Sequence, residues 1–140
     1  MNKSKILILC TGNSARSQMA EGLLRHEGGV RFEVFSAGTK PSLVRPEAIF
    51  VMGEMGIDIS GHRSKSVDEF AGQELDYVIT VCDNAKESCP IFPAKTLMMH
   101  WPFEDPAGVQ GSEDERIAAF RKVRDQIRSR ILVFLRECKF

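Results

Sequence analysis

The sequence has no excess of either charge: Lys plus Arg number 19, and so do Asp plus Glu. Any preference for anions must come from a local site, and nothing global argues for nucleic acid or a membrane surface. Long apolar runs are missing, and none approaches the ~18 residues of a membrane span. Met1 to Ile6 is too short and too charged to read as a secretion signal, so a cytoplasmic address is the default expectation. Cysteine is scarce. Cys10, Cys82, Cys89 and Cys138 are the four present, too few for a disulfide scaffold, and in a reducing compartment such thiols serve catalysis, redox chemistry or packing. None forms C-x-x-C, and His26, His62 and His100 lie far apart. No spacing fits a structural zinc site, so no metal is expected. Repeats, low-complexity stretches and internal linkers are also missing.

What is present is an ordinary globular composition, 43% apolar and 27% charged over 140 residues. One domain spanning residues 1–140 is expected, with a real core, and a monomer is the expected state. The chain is organised around CTGNSARS, residues 10 to 17. A continuous apolar run enters it and an amphipathic stretch from Ser17 to His26 leaves it. Strand, small-residue turn and helix make an anion cradle, because turn and first-turn N–H groups point at one spot and the helix dipole favours negative charge there. Thr11, Gly12, Asn13, Ser14, Ala15, Arg16 and Ser17 are the candidate oxyanion-binding residues. Cys10 enters the cradle and Arg16 closes it, since a guanidinium can grip a tetrahedral oxyanion with two parallel hydrogen bonds. A thiol facing such a positive potential is expected to titrate low. C-x5-R alone is short enough to arise by chance; strand before and helix after make it specific.

Further along, strands are expected at Lys5–Leu9, Phe32–Phe35, Asp76–Val81 and Thr96–His100, the first buried on both faces. Gly28-Gly29 should end the first helix. A second helix over Glu47–Met55 starts at Pro46, and Val67–Phe70 is a short turn. Ala85–Cys89 has room for one or two helical turns. A capping box, Ser112-x-x-Glu115, opens a long helix with an apolar stripe through Ile117, Phe120, Val123, Ile127, Ile131, Phe134 and Leu135. The predicted fold class is α/β: a three-layer arrangement with a four-stranded parallel sheet flanked by helices. In such sheets ligands bind beyond the carboxyl ends of the strands. Cys10, Cys82 and the Trp101–Gly108 loop all follow such ends.

Each remaining residue has a plain reading beside a chemical one. Ser14 and Ser17 suit a helix N-cap and also a site beside a thiolate. Asp105-Pro106 is a routine turn dipeptide; beside a Cys/Arg cradle, a loop carboxyl group is also the expected general acid. Cys138 continues the apolar stripe and reads as core, His62 and His100 as polar or packing residues, and Trp101 and Phe103 as packing for their loop. Cys82 and Cys89 sit in turn-rich sequence, a poor place for core packing. Were residues 82–89 helical, the two would stand about 10 Å apart along the axis. A disulfide needs Cα atoms within roughly 7 Å, so a Cys82–Cys89 bond would require this segment to unwind, and such a redox-driven rearrangement is expected.

With CTGNSARSQMAEG, SAGT, GIDIS, VCDNAKESCPIFP and HWPFEDPAG in order along nearly the whole chain, the sequence resembles the thioredoxin-coupled arsenate reductases. These share the low-molecular-weight protein tyrosine phosphatase fold. Cradle and Asp-Pro loop belong to both groups; Cys82-x6-Cys89-Pro90 separates the reductases, and phosphatases typically carry Tyr where this chain has Ala107. The resemblance implies reduction of arsenate, a phosphate-like oxyanion, to arsenite in arsenic detoxification. Cys10 is then the nucleophile, Arg16 the oxyanion clamp and Asp105 the acid. A Cys10–Cys82 disulfide gives way to Cys82–Cys89, which thioredoxin reduces as external donor with no bound cofactor. A low-molecular-weight protein tyrosine phosphatase is the alternative, and a thiol sensor or arsenical-binding module a third, non-enzymatic one. Two departures stand out. Some relatives bind potassium through positions matching Asn13, Glu21 and Ser36 plus an acidic residue, but that last position aligns with Lys65, so no potassium site is expected. Some also carry a loop cysteine where this chain has Ala15.

Overall fold

The computed structural model describes residues 3–82, 92 and 95–138. Cys89, and with it the helical turns expected at Ala85–Cys89, lies outside the described residues. Four strands, β1 (Ser4–Cys10), β2 (Phe32–Gly38), β3 (Tyr77–Thr80) and β4 (Leu97–His100), form one sheet in the order β2-β1-β3-β4. Every pairing is parallel, which requires a crossover between successive strands. The helices are α1 (Arg16–Gly28), α2 (Pro46–Gly53) and α3 (Glu113–Glu137).

Strand β1 is central because nothing on it needs water: Ile6 to Leu9 are fully buried on both faces. Gly29, at φ +58°, closes α1 in a conformation that side chains resist. Pro46 takes the first turn of α2, where no N–H is needed. Ser112 caps α3, its hydroxyl accepting from the Glu115 N–H at 3.2 Å. Phe120, Val123, Ile127, Ile131 and Phe134 then turn one stripe of α3 into the core. Arg124, off that apolar stripe, is nonetheless buried. It is tolerated there because its Nη1 donates to the Val51 carbonyl and to Glu54 Oε1, both at 2.8 Å. Cys138 sits at the C-cap of α3, only half-buried, with its sulfur 3.9 Å from the Tyr77 hydroxyl.

The strand order fixes where a ligand can bind. The connection from β1 leads to β2 on one side, while β3 pairs with the other side of β1, so the chain leaves β1 and β3 in opposite directions. The crevice between those two carboxyl ends is the topological switch point of the sheet. Leu9 pairs with Thr80, and the Val81 N–H donates to the Leu9 carbonyl at 2.9 Å. That register places Cys10 and Cys82 at the crevice together.

Candidate oxyanion and thiol site

Residues 10–15 wrap the crevice with their carbonyls turned outward. Those of Cys10, Thr11 and Ser14 accept from the N–H groups of Thr39, Lys40 and Arg45 at 3.2, 2.9 and 2.9 Å. The Gly12 carbonyl takes the Ser42 N–H at 3.1 Å and the Ser64 hydroxyl at 2.8 Å. The Asn13 carbonyl takes Gln18 Nε2 at 3.0 Å. Every peptide here is trans, so the N–H that follows each carbonyl points the opposite way. The N–H groups of residues 11–15 therefore face inward, as an anion-binding nest does.

The start of α1 adds to this. Its N-cap is Ala15, which has no side chain able to accept a hydrogen bond, and its first turn holds no acidic residue. Ser14 and Ser17, expected as caps, do not occupy that position; the Ser17 hydroxyl instead accepts from Asn13 Nδ2 at 2.8 Å. A helix beginning without cap or acid keeps its orphan N–H groups and its positive dipole end for something else.

Two positions make the loop possible. Asn13 is the only non-glycine residue with positive φ among the described residues, at +48°, and it is fully buried. Its Nδ2 donates to Ser17 and Ser36, and its Oδ1 accepts from Gln18 Nε2 and the Lys65 N–H, at 2.8 to 3.0 Å. Gly38, the glycine of SAGT, pairs with Cys10 across the strands. A Cβ there would overlap the Thr11 carbonyl oxygen, so only glycine lets β2 come this close.

Arg16 reaches the same crevice from the first residue of α1. Its Nη1 donates to the Phe103 carbonyl at 3.0 Å, and its Nη2 lies 3.7 Å from Asp105 Oδ2. Its Nε is buried and has no hydrogen-bond partner among the described residues. Leaving such a donor unmatched costs roughly 1–3 kcal/mol, so this atom favours any acceptor that enters. Asp105 is half exposed and caps the short turn Pro106–Gly108 by accepting from the Ala107 N–H at 3.0 Å. The turn reading and the crevice position therefore both hold. Trp101 packs this loop, buried beneath the Arg130 guanidinium at 4.6 Å from the ring centre and edge-on to Phe134.

Cys10 and Cys82 are both buried, at 3% and 6% exposure, and Cys82 lies close enough to act on the Cys10 thiol. Cys82 also shares a hydrogen bond with the Thr11 hydroxyl at 3.3 Å. The expectation that Cys10 titrates low is corrected here. The Cys82 hydrogen bond and burial push its thiol up, against the downward pull of Arg16 and the Thr11 N–H. The physical reason is that a buried thiolate beside a second thiol loses more through Cys82 and desolvation than Arg16 returns. Of the predicted residues, Cys10, Arg16, Cys82 and Asp105 converge; Cys89 lies outside the described residues.

Behind the loop lies a polar cluster built on the positions the resemblance singled out, Asn13, Glu21, Ser36 and Lys65; that Arg25 and His62 join it was missed. Glu21 is buried and accepts the Ser36 hydroxyl at 2.6 Å. Arg25, His62 and Lys65 approach the same carboxylate to 2.9, 3.4 and 3.8 Å. His62 Nδ1 also lies 3.0 Å from Gln18 Oε1. Burial lowers the His62 pKa and the Lys65 pKa, with Glu21 opposing both. No local pattern around residues 62–65 reveals that they reach back to Asn13. Among the described residues no group of three His, Cys, Asp or Glu side chains is arranged to hold a metal, and no helix is long and apolar enough to cross a membrane.

The family model for low molecular weight phosphotyrosine protein phosphatases matches residues 5–139. The chain belongs to that family. Within it, an arsenate reductase of Halalkalibacterium halodurans is 46% identical over 96% of both chains. A solved arsenate reductase in a phosphate-binding state superposes with a TM-score of 0.79 at 33% identity, covering 97% of this chain and 99% of that one. A thioredoxin-dependent arsenate reductase of Corynebacterium glutamicum gives 0.77 at 27% identity, covering 96% of this chain and 61% of that one.

Proposed function

We propose that this protein reduces arsenate to arsenite by a relay of three thiols. The observation that carries it is the pair of buried thiols, Cys10 and Cys82, that strand register brings together at the switch point, where a phosphatase needs one thiol. Support comes also from the relatives named as arsenate reductases at 42 to 46% identity.

Arsenate has the charge and shape of phosphate, so the inward N–H groups of residues 11–15, the first turn of α1 at Arg16 and Ser17, and the Arg16 guanidinium bind it. Cys10 sulfur attacks arsenic and one oxygen leaves as water, taking the thiol proton and a proton passed by Asp105. No electrons have yet moved to arsenic. Cys82 sulfur then attacks Cys10 sulfur; the electron pair of the S–As bond stays on arsenic, reducing it from As(V) to As(III), and arsenite departs. A Cys10–Cys82 disulfide remains. Cys89 attacks Cys82, freeing Cys10 and leaving Cys82–Cys89, which an external dithiol of the thioredoxin type reduces by thiol–disulfide exchange. The chemistry needs no resident cofactor, and a relay that runs on reduced thiols suits the cytoplasm.

Multiple-turnover assay with arsenate, thioredoxin, thioredoxin reductase and NADPH tests this. Steady NADPH consumption with arsenite formed is expected, and Cys82→Ser should stop after one covalent adduct. Full turnover by Cys82→Ser would overturn the relay. The phosphatase reading rests on the family cradle and Asp105. Strong phosphotyrosine hydrolysis with no arsenite produced would establish it instead.

A further inference from the structure

The loop that presents Cys10 depends on one residue in the left-handed region, Asn13, and the restraints on Asn13 converge on Lys65. The Lys65 N–H donates to Asn13 Oδ1 at 3.0 Å. Asn13 Nδ2 donates to the Ser36 hydroxyl at 2.9 Å, and Ser36 donates to Glu21 Oε1 at 2.6 Å. The Lys65 ammonium lies 3.8 Å from that same oxygen. One residue thus touches both ends of the chain that holds the loop. Arg25 also faces Glu21, but from the outer oxygen Oε2 and with a side chain 49% exposed, against 13% for Lys65.

The residues do not fit a potassium ion at this place. A metal cation needs oxygen lone pairs directed at it. Here Asn13 Oδ1 already takes two N–H donors, Glu21 Oε1 takes the Ser36 proton, and Glu21 Oε2 faces Arg25 and His62. A fixed ammonium beside the carboxylate further repels a mobile cation.

We infer that Lys65 is the positioning residue of the oxyanion loop: its tethered ammonium balances Glu21, and the Glu21–Ser36–Asn13 chain passes that restraint to the cradle, so oxyanion binding needs no dissociable monovalent cation. This deepens the oxyanion-site part of the proposed function and is independent of the thiol relay.

The test is titration calorimetry with inorganic phosphate, plus thermal melting, in potassium, sodium and choline chloride at matched ionic strength. The wild-type protein should bind and melt alike in all three. Lys65→Met should weaken phosphate binding by about tenfold, equivalent to ~1.4 kcal/mol, and Lys65→Arg should recover most of it. Ser36→Ala cuts the chain without touching Lys65 and should show a similar loss, with the Lys65→Met/Ser36→Ala double variant little worse than either single one. Potassium-specific tightening or stabilisation of the wild type would overturn the inference. So would wild-type binding by Lys65→Met, or, should that variant not fold, wild-type binding by Ser36→Ala. Additive losses in the double variant would also count against it. Loss of arsenate turnover with these binding results intact would count against the relay alone.

Discussion

Thr11 Oγ1 and Cys82 Sγ share a hydrogen bond at 3.3 Å across 71 positions of sequence. Thr11 follows Cys10 at the end of β1, and Cys82 follows the end of β3, so this contact is a product of strand register. When Cys82 is a thiolate, the Thr11 hydroxyl is the donor. Thr11→Val keeps the backbone N–H of the cradle and removes only that donor. A net hydrogen bond is worth about 1 kcal/mol, so arsenite release should slow by roughly fivefold while phosphate affinity stays within about twofold. Rapid-quench measurement of both steps checks this; slowing of the first step instead would place Thr11 in substrate binding.

Asp105 and Arg16 make a second long-range pair, 3.7 Å apart. Asp105→Asn removes the transferable proton and should lower the first chemical step by about 10²- to 10⁴-fold, the usual range for general acid catalysis. Phosphate binding should survive, because Arg16 and the loop N–H groups are untouched. A single-turnover assay with arsenate in excess gives the rate. An unchanged rate would remove Asp105 from the mechanism.

Gly38 faces the Thr11 carbonyl oxygen at a distance no Cβ tolerates. Gly38→Ala must push backbone against backbone, and overpacking of this kind costs typically 1–3 kcal/mol. Chemical denaturation should register that loss, and phosphate binding should fall further than stability, since the displaced atom belongs to the cradle. Wild-type phosphate affinity in a destabilised Gly38→Ala would show that the loop does not need its present shape.

Away from the site, Glu54 ties α2 to α3. Its pKa is lowered to about 2, chiefly by the hydrogen bond from Arg121 and then by that from Arg124. A carboxylate depressed in the folded state contributes stability above its unfolded pKa, near 4.5, and that contribution fades as pH falls toward about 2. The gap in melting temperature between wild type and Glu54→Gln should therefore be full at neutral pH and shrink between pH 4.5 and 2. A gap that does not change over that range would rule out the ion pairs as its source.

The local features above were legible because each depends on short-range physics. The apolar run Ile6 to Cys10, the small-residue turn, Arg16 and the Ser112 cap announce themselves by composition and spacing. The Cys10 thiol shows where that reasoning fails. Spacing puts an arginine nearby, but burial and Cys82 set the proton's affinity, and both depend on what folds over the sulfur. Arg124 fails for a similar reason. A helical period assigns it to the solvent side, and only the Val51 carbonyl and Glu54, brought from α2, make its burial affordable.

The sequence by itself determined a strand–loop–helix unit with one cysteine at its entry and one arginine at its exit, because turn, cap and helix preferences act within a few residues. Tertiary structure decided the rest. Parallel strands in the order β2-β1-β3-β4 open the crevice at β1 and β3, and their register sets Cys82 beside Cys10. The polar loop at 62–65 returns to hold Asn13 in a conformation that its own neighbours do not impose. Contacts of this kind join residues fifty to seventy positions apart, and no periodicity in the chain encodes them.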